Sequence, residues 1–226
     1  MDLLNRRVVA HARTRHGEIQ LAAVDSDGET NFELIFNGVH LMATYNAPSS
    51  RALTDVALSG IGTHRKHVEL LIGGLGMGAS LRQALERPEM ETVRVVELEF
   101  RIVDWNRTHL GNADLLDDRR TEVVVGDFYE YVKGSPQHYH GIVIDIDNGP
   151  DWVVRPENRR VYSISMLQVL RTRLRTDGIL AIWSHAVNRS YERALETVFG
   201  SVFKHMVQDV ALNGKTLDSV IYEVHA

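Results

Sequence analysis

Along residues 17–45, short apolar runs are broken by turn dipeptides: Ile19–Val24, then Asp27-Gly28, then Phe32–Phe36, then Asn37-Gly38, then Val39–Thr44. Asp-Gly and Asn-Gly supply the positive φ that tight hairpins need, so this stretch predicts an antiparallel meander. Pro48-Ser49-Ser50 changes the period and opens a helical stretch with Ala52, Val56 and Ala57 on it, ending at Ser59-Gly60. From Val68 onward apolar runs alternate with helix-length amphipathic segments. Strands are expected at Val68–Ile72, Val93–Leu98, Glu122–Val125, Ile142–Ile146 and Ile179–Trp183. Helices are expected at Ala79–Arg87, Arg101–His109, Val161–Arg175 and Ser190–Phe199. Such alternation gives a mainly parallel sheet covered by helices on both faces. Two final runs, Val202–Gln208 and Ser219–His225, are joined by a polar segment too short for a crossover helix, so the last strand should enter antiparallel. The fold class expected is α/β: a Rossmann-like sheet of seven strands of the methyltransferase type with a small N-terminal meander. The expected division is residues 1–60 for the meander and its linking helix, and 61–226 for the sheet domain.

The loop after the first parallel strand carries the clearest chemistry. Ile72-Gly73-Gly74-Leu75-Gly76-Met77-Gly78-Ala79 leaves an apolar strand and enters a helix. Glycines let backbone turn sharply and approach a ligand closely, and free N–H groups face the same place, so a nucleotide-like ligand should lie against Gly73, Gly74, Gly76 and Gly78. Gly74-x-Gly76-x-x-Ala79 also satisfies the dinucleotide fingerprint. Glu97, at the end of the next strand, is a carboxylate able to accept both hydroxyl protons of a ribose, which suits NAD and adenosyl-methionine equally. After the following strand, Asp127 offers an acceptor to the amine of adenine and Phe128 a ring to stack on it. Asp145, Asp147 and Asn148 end the fourth strand, outside the carboxyl ends where open α/β sheets bind ligands. Trp152, just beyond Gly149-Pro150, is a candidate wall of the substrate site.

Composition narrows the partners. The 226 residues carry 25 Lys+Arg against 30 Asp+Glu, a net charge of −5, 11 His and no Cys. A disulfide framework and thiolate chemistry are excluded, and there is no field of clustered cations to hold a polyanion, so no nucleic-acid partner is expected. No run of about 18 apolar residues is present, so no membrane partner is expected and the chain reads as cytoplasmic. The basic start, with Arg6, Arg7, Arg13 and Arg15, reads as a solvated or partner-facing tail. His138-x-His140 and His64-x-x-His67 read as surface loops and no metal is expected, since Arg65 and Lys66 oppose a dication.

Gly73–Gly78, Val95–Glu97, Gly126-Asp127, Ile142–Pro150 and the run from Tyr162 to Asp177-Gly178-Ile179-Leu180 together resemble, in order and spacing, the spermidine synthase-like branch of the class I S-adenosylmethionine-dependent transferases. The segment Leu34 to His40 resembles that family's N-terminal hairpin. The resemblance implies that Gly74, Gly76 and Gly78 lie against the methionine part of the donor, Glu97 against the ribose and Asp127 against adenine. It implies Asp145 as the catalytic aspartate and Tyr162 as the family's tyrosine, with the meander's free strand edges buried in a homodimer.

Departures from the family set the expected reaction. Aminopropyltransferases carry an aspartate in the glycine loop where this chain has Gly76, and its absence removes repulsion of the carboxylate of intact S-adenosylmethionine. The stretch Ser49-Ser50-Arg51-Ala52-Leu53-Thr54-Asp55 corresponds to the family's tyrosine-histidine-glutamate element but lacks that triad, and the loop Asp145-Ile146-Asp147-Asn148 is shortened by two residues before Gly149-Pro150. Methyl transfer from S-adenosylmethionine to a small-molecule acceptor is therefore expected, with Asp145 as base or orienter and Asp147 and Asn148 orienting the acceptor. Aminopropyl transfer from decarboxylated S-adenosylmethionine is the alternative, and a non-catalytic nucleotide-binding or assembly module the third reading.

Overall fold

The computed structural model describes residues 5–26, 28–61 and 65–226. Asp27 of the first hairpin turn, His64 and the first four residues of the basic start lie outside them. Four strands, β1 (Asn5–Thr14), β2 (Gly17–Ser26), β3 (Glu29–Phe36) and β4 (Val39–Ala43), form an antiparallel sheet in sequence order. The Asn37-Gly38 turn takes positive φ at both residues, 49° and 78°, matching the twist of the strands it joins. β1 corrects the expectation of a solvated tail. Its residues pair with β2 from Asn5↔Asp25 to Thr14↔Gly17, and Arg6 forms an ion pair with Glu33.

Helix α1 (Ala47–Leu58) has Pro48 in its first turn, where no N–H is needed, and buries Leu53, Ala57 and Leu58. The larger sheet then follows: β5 (Val68–Gly73), α2 (Ala79–Leu85), β6 (Met90–Glu97), α3 (Phe100–Thr108), α4 (Ala113–Leu116), β7 (Thr121–Val125), α5 (Phe128–Gly134) and β8 (Tyr139–Ile144). After a 3-10 segment at Pro156–Tyr162 come α6 (Ile164–Arg173), β9 (Leu174–Ser184), α7 (Arg189–Phe199), β10 (Phe203–Val210) and β11 (Thr216–His225). The seven strands lie in the order β10-β11-β9-β8-β5-β6-β7. β11 runs antiparallel to both neighbours, as its polar connection implies, while β5 through β9 pair in parallel.

β5 and β8 are apolar because helices cover both faces of a parallel sheet. Along β5, Leu70 and Ile72 face a core shared with α1, α2, α3 and the N-terminal sheet, whereas Leu71 faces a second core with α5, α6 and α7. The chain runs from β5 to β6 on one side and returns to β8 on the other. That reversal opens a crevice at the strands' carboxyl ends, where the site lies. Among the described residues no helix is long and apolar enough to cross a membrane.

His140 corrects another expectation. It is not in a surface loop: β8 begins at Tyr139, and His140 is buried with Nδ1 accepting the Glu69 N–H at 3.0 Å. Among the described residues no group of three or more His, Cys, Asp or Glu side chains is arranged to hold a metal ion.

Candidate active site

Three cavities meet at Asp145. The inner one runs from Gly74 and Gly76 past Glu97 to Asp127 and Phe128, and β3 and β4 roof it with Leu34, Phe36, Leu41 and Met42. A second lies between α1 and α2, with Arg51 and Arg82 on its walls. The third opens toward β11 and includes Asn148, Trp152, Trp183, His185 and Asp209.

The four loop glycines divide by what surrounds them. Gly74 and Gly76 line the inner cavity, and both have positive φ, 93° and 51°. A Cβ on Gly74 would lie 2.4 Å from the Asp145 carbonyl oxygen, so this backbone pair touches without room for a side chain. Gly73 and Gly78 line none of the three cavities. A Cβ on Gly73 would strike Phe128 and one on Gly78 would strike Asn112, so these two serve packing around the loop and correct the expectation that all four approach a ligand.

Glu97 is buried, and burial pushes its carboxyl up against the pull of the N–H donors it accepts. Oε2 accepts from Leu75 N–H and Oε1 from Glu99 N–H, each at 2.9 Å. The Gly76 N–H also pulls on this carboxylate, which keeps acceptor capacity toward the cavity for a ribose hydroxyl. Glu99 itself faces the N-terminal sheet, where its Oε1 accepts from Thr14 Oγ1 at 2.8 Å and meets His16 Nδ1 at 2.6 Å. This clasp holds the β1–β2 turn beside the cavity.

Asp127 caps α5, its Oδ1 accepting Glu130 N–H at 3.1 Å, and its Oδ2 pairs with Arg160 at 2.9 Å. A cap and a ligand contact draw on different lone pairs of one carboxylate. Phe128 lies over Gly73 with its ring in the inner cavity wall.

Asp145 is where the cavities join. Burial pushes its carboxyl up to about 6; the Ser50 hydrogen bond opposes that rise and the nearby Asp209 charge adds to it. Ser50 Oγ donates to Asp145 Oδ2 at 3.1 Å. Asp209 is buried, accepting Ser49 N–H at 3.0 Å. Neither Ser50 nor Asp209 carries a site signal in the sequence: Ser50 stands in a stretch that departs from the family motif, and Asp209 borders the polar connection before the last strand.

The loop beyond Asp145 splits its side chains between cavities. Asp147, with φ of 53°, turns toward the inner cavity, where Oδ2 accepts from Asn158 Nδ2 at 2.9 Å; Arg155 lies there too. It therefore stands away from the acceptor side where it was expected. Asn148 and Trp152 do line the β11-side cavity, and Trp152 meets His185 edge-on with centroids 5.3 Å apart. Tyr162 lines none of the three cavities. Its hydroxyl donates to the Ile146 carbonyl, and its ring packs edge-on against Tyr191. It fastens the loop carrying Asp145, which makes it a positioning residue.

A family model, the spermine/spermidine synthase domain, matches residues 48–212, which include the glycine loop, Glu97 and Asp145. This chain belongs to that family. Among curated relatives, polyamine aminopropyltransferase 2 of Pseudomonas aeruginosa is 27% identical over 215 residues, covering 88% of this chain and 58% of that protein. Polyamine aminopropyltransferase 1 of Hyperthermus butylicus is 25% identical over 203 residues, covering 87% of this chain and 66% of that protein. The chain thus spans about three-fifths to two-thirds of the length of these relatives. A crystal structure of spermidine synthase with the transition-state analogue AdoDATO superposes with a TM-score of 0.80 at 17% identity, covering 98% of this chain and 74% of that one. This likeness establishes the shared fold: the seven-stranded sheet with its separate N-terminal sheet.

Proposed function

We propose that this chain transfers an aminopropyl group from decarboxylated S-adenosylmethionine to an amine, with Asp145 as the base. The position of Asp145 at the junction of three cavities carries the reading, and membership of the spermine/spermidine synthase family supports aminopropyl over methyl transfer.

The inner cavity suits the donor's nucleoside. Glu97 offers an acceptor for a ribose hydroxyl, Asp127 and Phe128 stand at the adenine end, and Gly74 and Gly76 line the cavity without side chains of their own. Bound there, the sulfonium supplies an electrophilic carbon: the amine's lone pair forms the C–N bond as the C–S bond breaks, and its electrons return to sulfur. The protein's part is alignment and proton handling. Asp145 holds the incoming ammonium and accepts its proton, which frees the lone pair, and Asp209 adds negative charge beside it. A carboxyl near 6 is ionised at neutral pH yet a better proton acceptor than an ordinary aspartate.

Methyl transfer from intact S-adenosylmethionine is the second reading, and one feature favours it. The loop has Gly76 where an acid would repel the donor's carboxylate, and the α1–α2 cavity presents Arg51 and Arg82, neither in an ion pair among the described residues. Both donors offered together at equal concentration, with a mixture of amines, decide between the readings. A mass gain of an aminopropyl unit supports the first and a methyl gain the second.

A further inference from the structure

The β11-side cavity is lined by two kinds of chemistry. One is the pair of carboxylates of Asp145 and Asp209, close enough for the charge of one to act on the other and suited to an ammonium. Around the rest of its wall, three residues bury polar atoms that have no hydrogen-bond partner among the described residues: Asn148 Nδ2, Trp183 Nε1 and Ser219 Oγ. Asn148 is 6% exposed and Ser219 4%. Buried donors without partners are rare, and a cluster of them along one cavity points to a ligand that supplies the missing acceptors.

A plain diamine does not supply them. Both its ends are ammonium at neutral pH and can only donate, so it would answer Asp145 and Asp209 and leave the indole and amide N–H groups orphaned. Lys215, on the same wall and without an ion pair among the described residues, adds repulsion toward a second ammonium, partly offset by the exposed Asp218. Building on the proposed transfer to an amine, we infer that the acceptor is an amine whose far end carries a hydrogen-bond-accepting oxygen: a hydroxyl, carbonyl or carboxylate. The ammonium lies at Asp145, and the oxygen lies among Asn148, Trp183 and Ser219.

Calorimetric titration tests this without relying on turnover. A four-carbon diamine, the amino alcohol of the same length and the corresponding ω-amino acid are each titrated into the full chain, with and without methylthioadenosine to fill the inner cavity. One or both oxygen-bearing amines should bind at least tenfold more tightly than the diamine, since a site built to hydrogen-bond an oxygen discriminates strongly against a ligand lacking it. The better of the two identifies the oxygen group. Trp183→Phe keeps the ring and deletes the donor, and should shrink that ratio several-fold; Ser219→Ala should do the same to a lesser degree. Equal affinities, a tighter diamine, or a ratio untouched by both substitutions would overturn the inference. Should the oxygen-bearing amines bind preferentially while no donor yields product, the site's preference for an oxygen-bearing amine stands and the transfer reading falls.

Discussion

Ser50 Oγ donates to Oδ2 of Asp145 at 3.1 Å, a bond that joins the first turn of α1 to the loop after β8 across 95 residues of sequence. It stabilises the ionised carboxylate and so opposes the rise that burial imposes. If Asp145 is the base, kcat/KM should climb with pH through about 6 as the carboxyl ionises. Ser50→Ala removes a donor to the charged form, so its acid limb should move to higher pH while the plateau well above it changes less. A rate–pH series on the two proteins checks this, and coincident limbs would count against it.

Asp145→Asn should separate activity from stability. Loss of the base should lower the transfer rate by roughly a hundredfold or more. The folded-state carboxyl stands above its ordinary 3.8, so the folded chain binds the proton more tightly than the unfolded one does. Stability therefore falls as pH rises from about 4 to about 6 and stays reduced above that. The amide removes this penalty, and the variant should gain about 3 kcal/mol at neutral pH and nothing below about pH 4, read from denaturant midpoints.

Gly74→Ala and Gly76→Ala look alike in sequence and should differ in outcome. At Gly74 the new Cβ meets a backbone oxygen at 2.4 Å, which cannot yield without moving the Asp145 loop. At Gly76 it meets Met42 Sδ, the flexible end of a side chain. The first should cost about 2–4 kcal/mol and donor binding with it, the second about 1 kcal/mol, mostly from its left-handed φ. Urea titration and donor calorimetry on both variants provide the comparison.

Glu99 tests the role of the N-terminal sheet. Its carboxylate is held by Thr14 and His16, and β3 and β4 roof the inner cavity. Glu99→Ala should lose about 1–3 kcal/mol. It should also raise the donor KM more than it lowers kcat, and speed hydrogen exchange in β1 and β2 relative to β5. Unchanged exchange would mean that the clasp does not hold the roof.

The larger sheet was legible because its strands are buried apolar runs separated by helices of clear period, and the antiparallel last strand followed from a connection too short to cross over. β1 was not. Its sequence, NRRVVAHART, alternates too weakly, and Val8 is 57% exposed; only pairing with the apolar β2 makes it a strand. At the site, Gly74, Gly76, Glu97 and Asp145 were legible because each sits at a strand's carboxyl end. Ser50 and Asp209 reach Asp145 from other elements, and no local pattern marks a contact spanning the whole domain. Asp147 and Asn148 are neighbours in sequence, yet the positive φ at Asp147 sends them to different cavities.

The most direct measurement is the product mass from wild type and Asp145→Asn, each incubated with decarboxylated S-adenosylmethionine and an amine acceptor, alongside donor affinity for both. The account predicts an acceptor heavier by one aminopropyl unit with wild type, none with the variant, and donor affinities that agree. Equal product from the two proteins would contradict it.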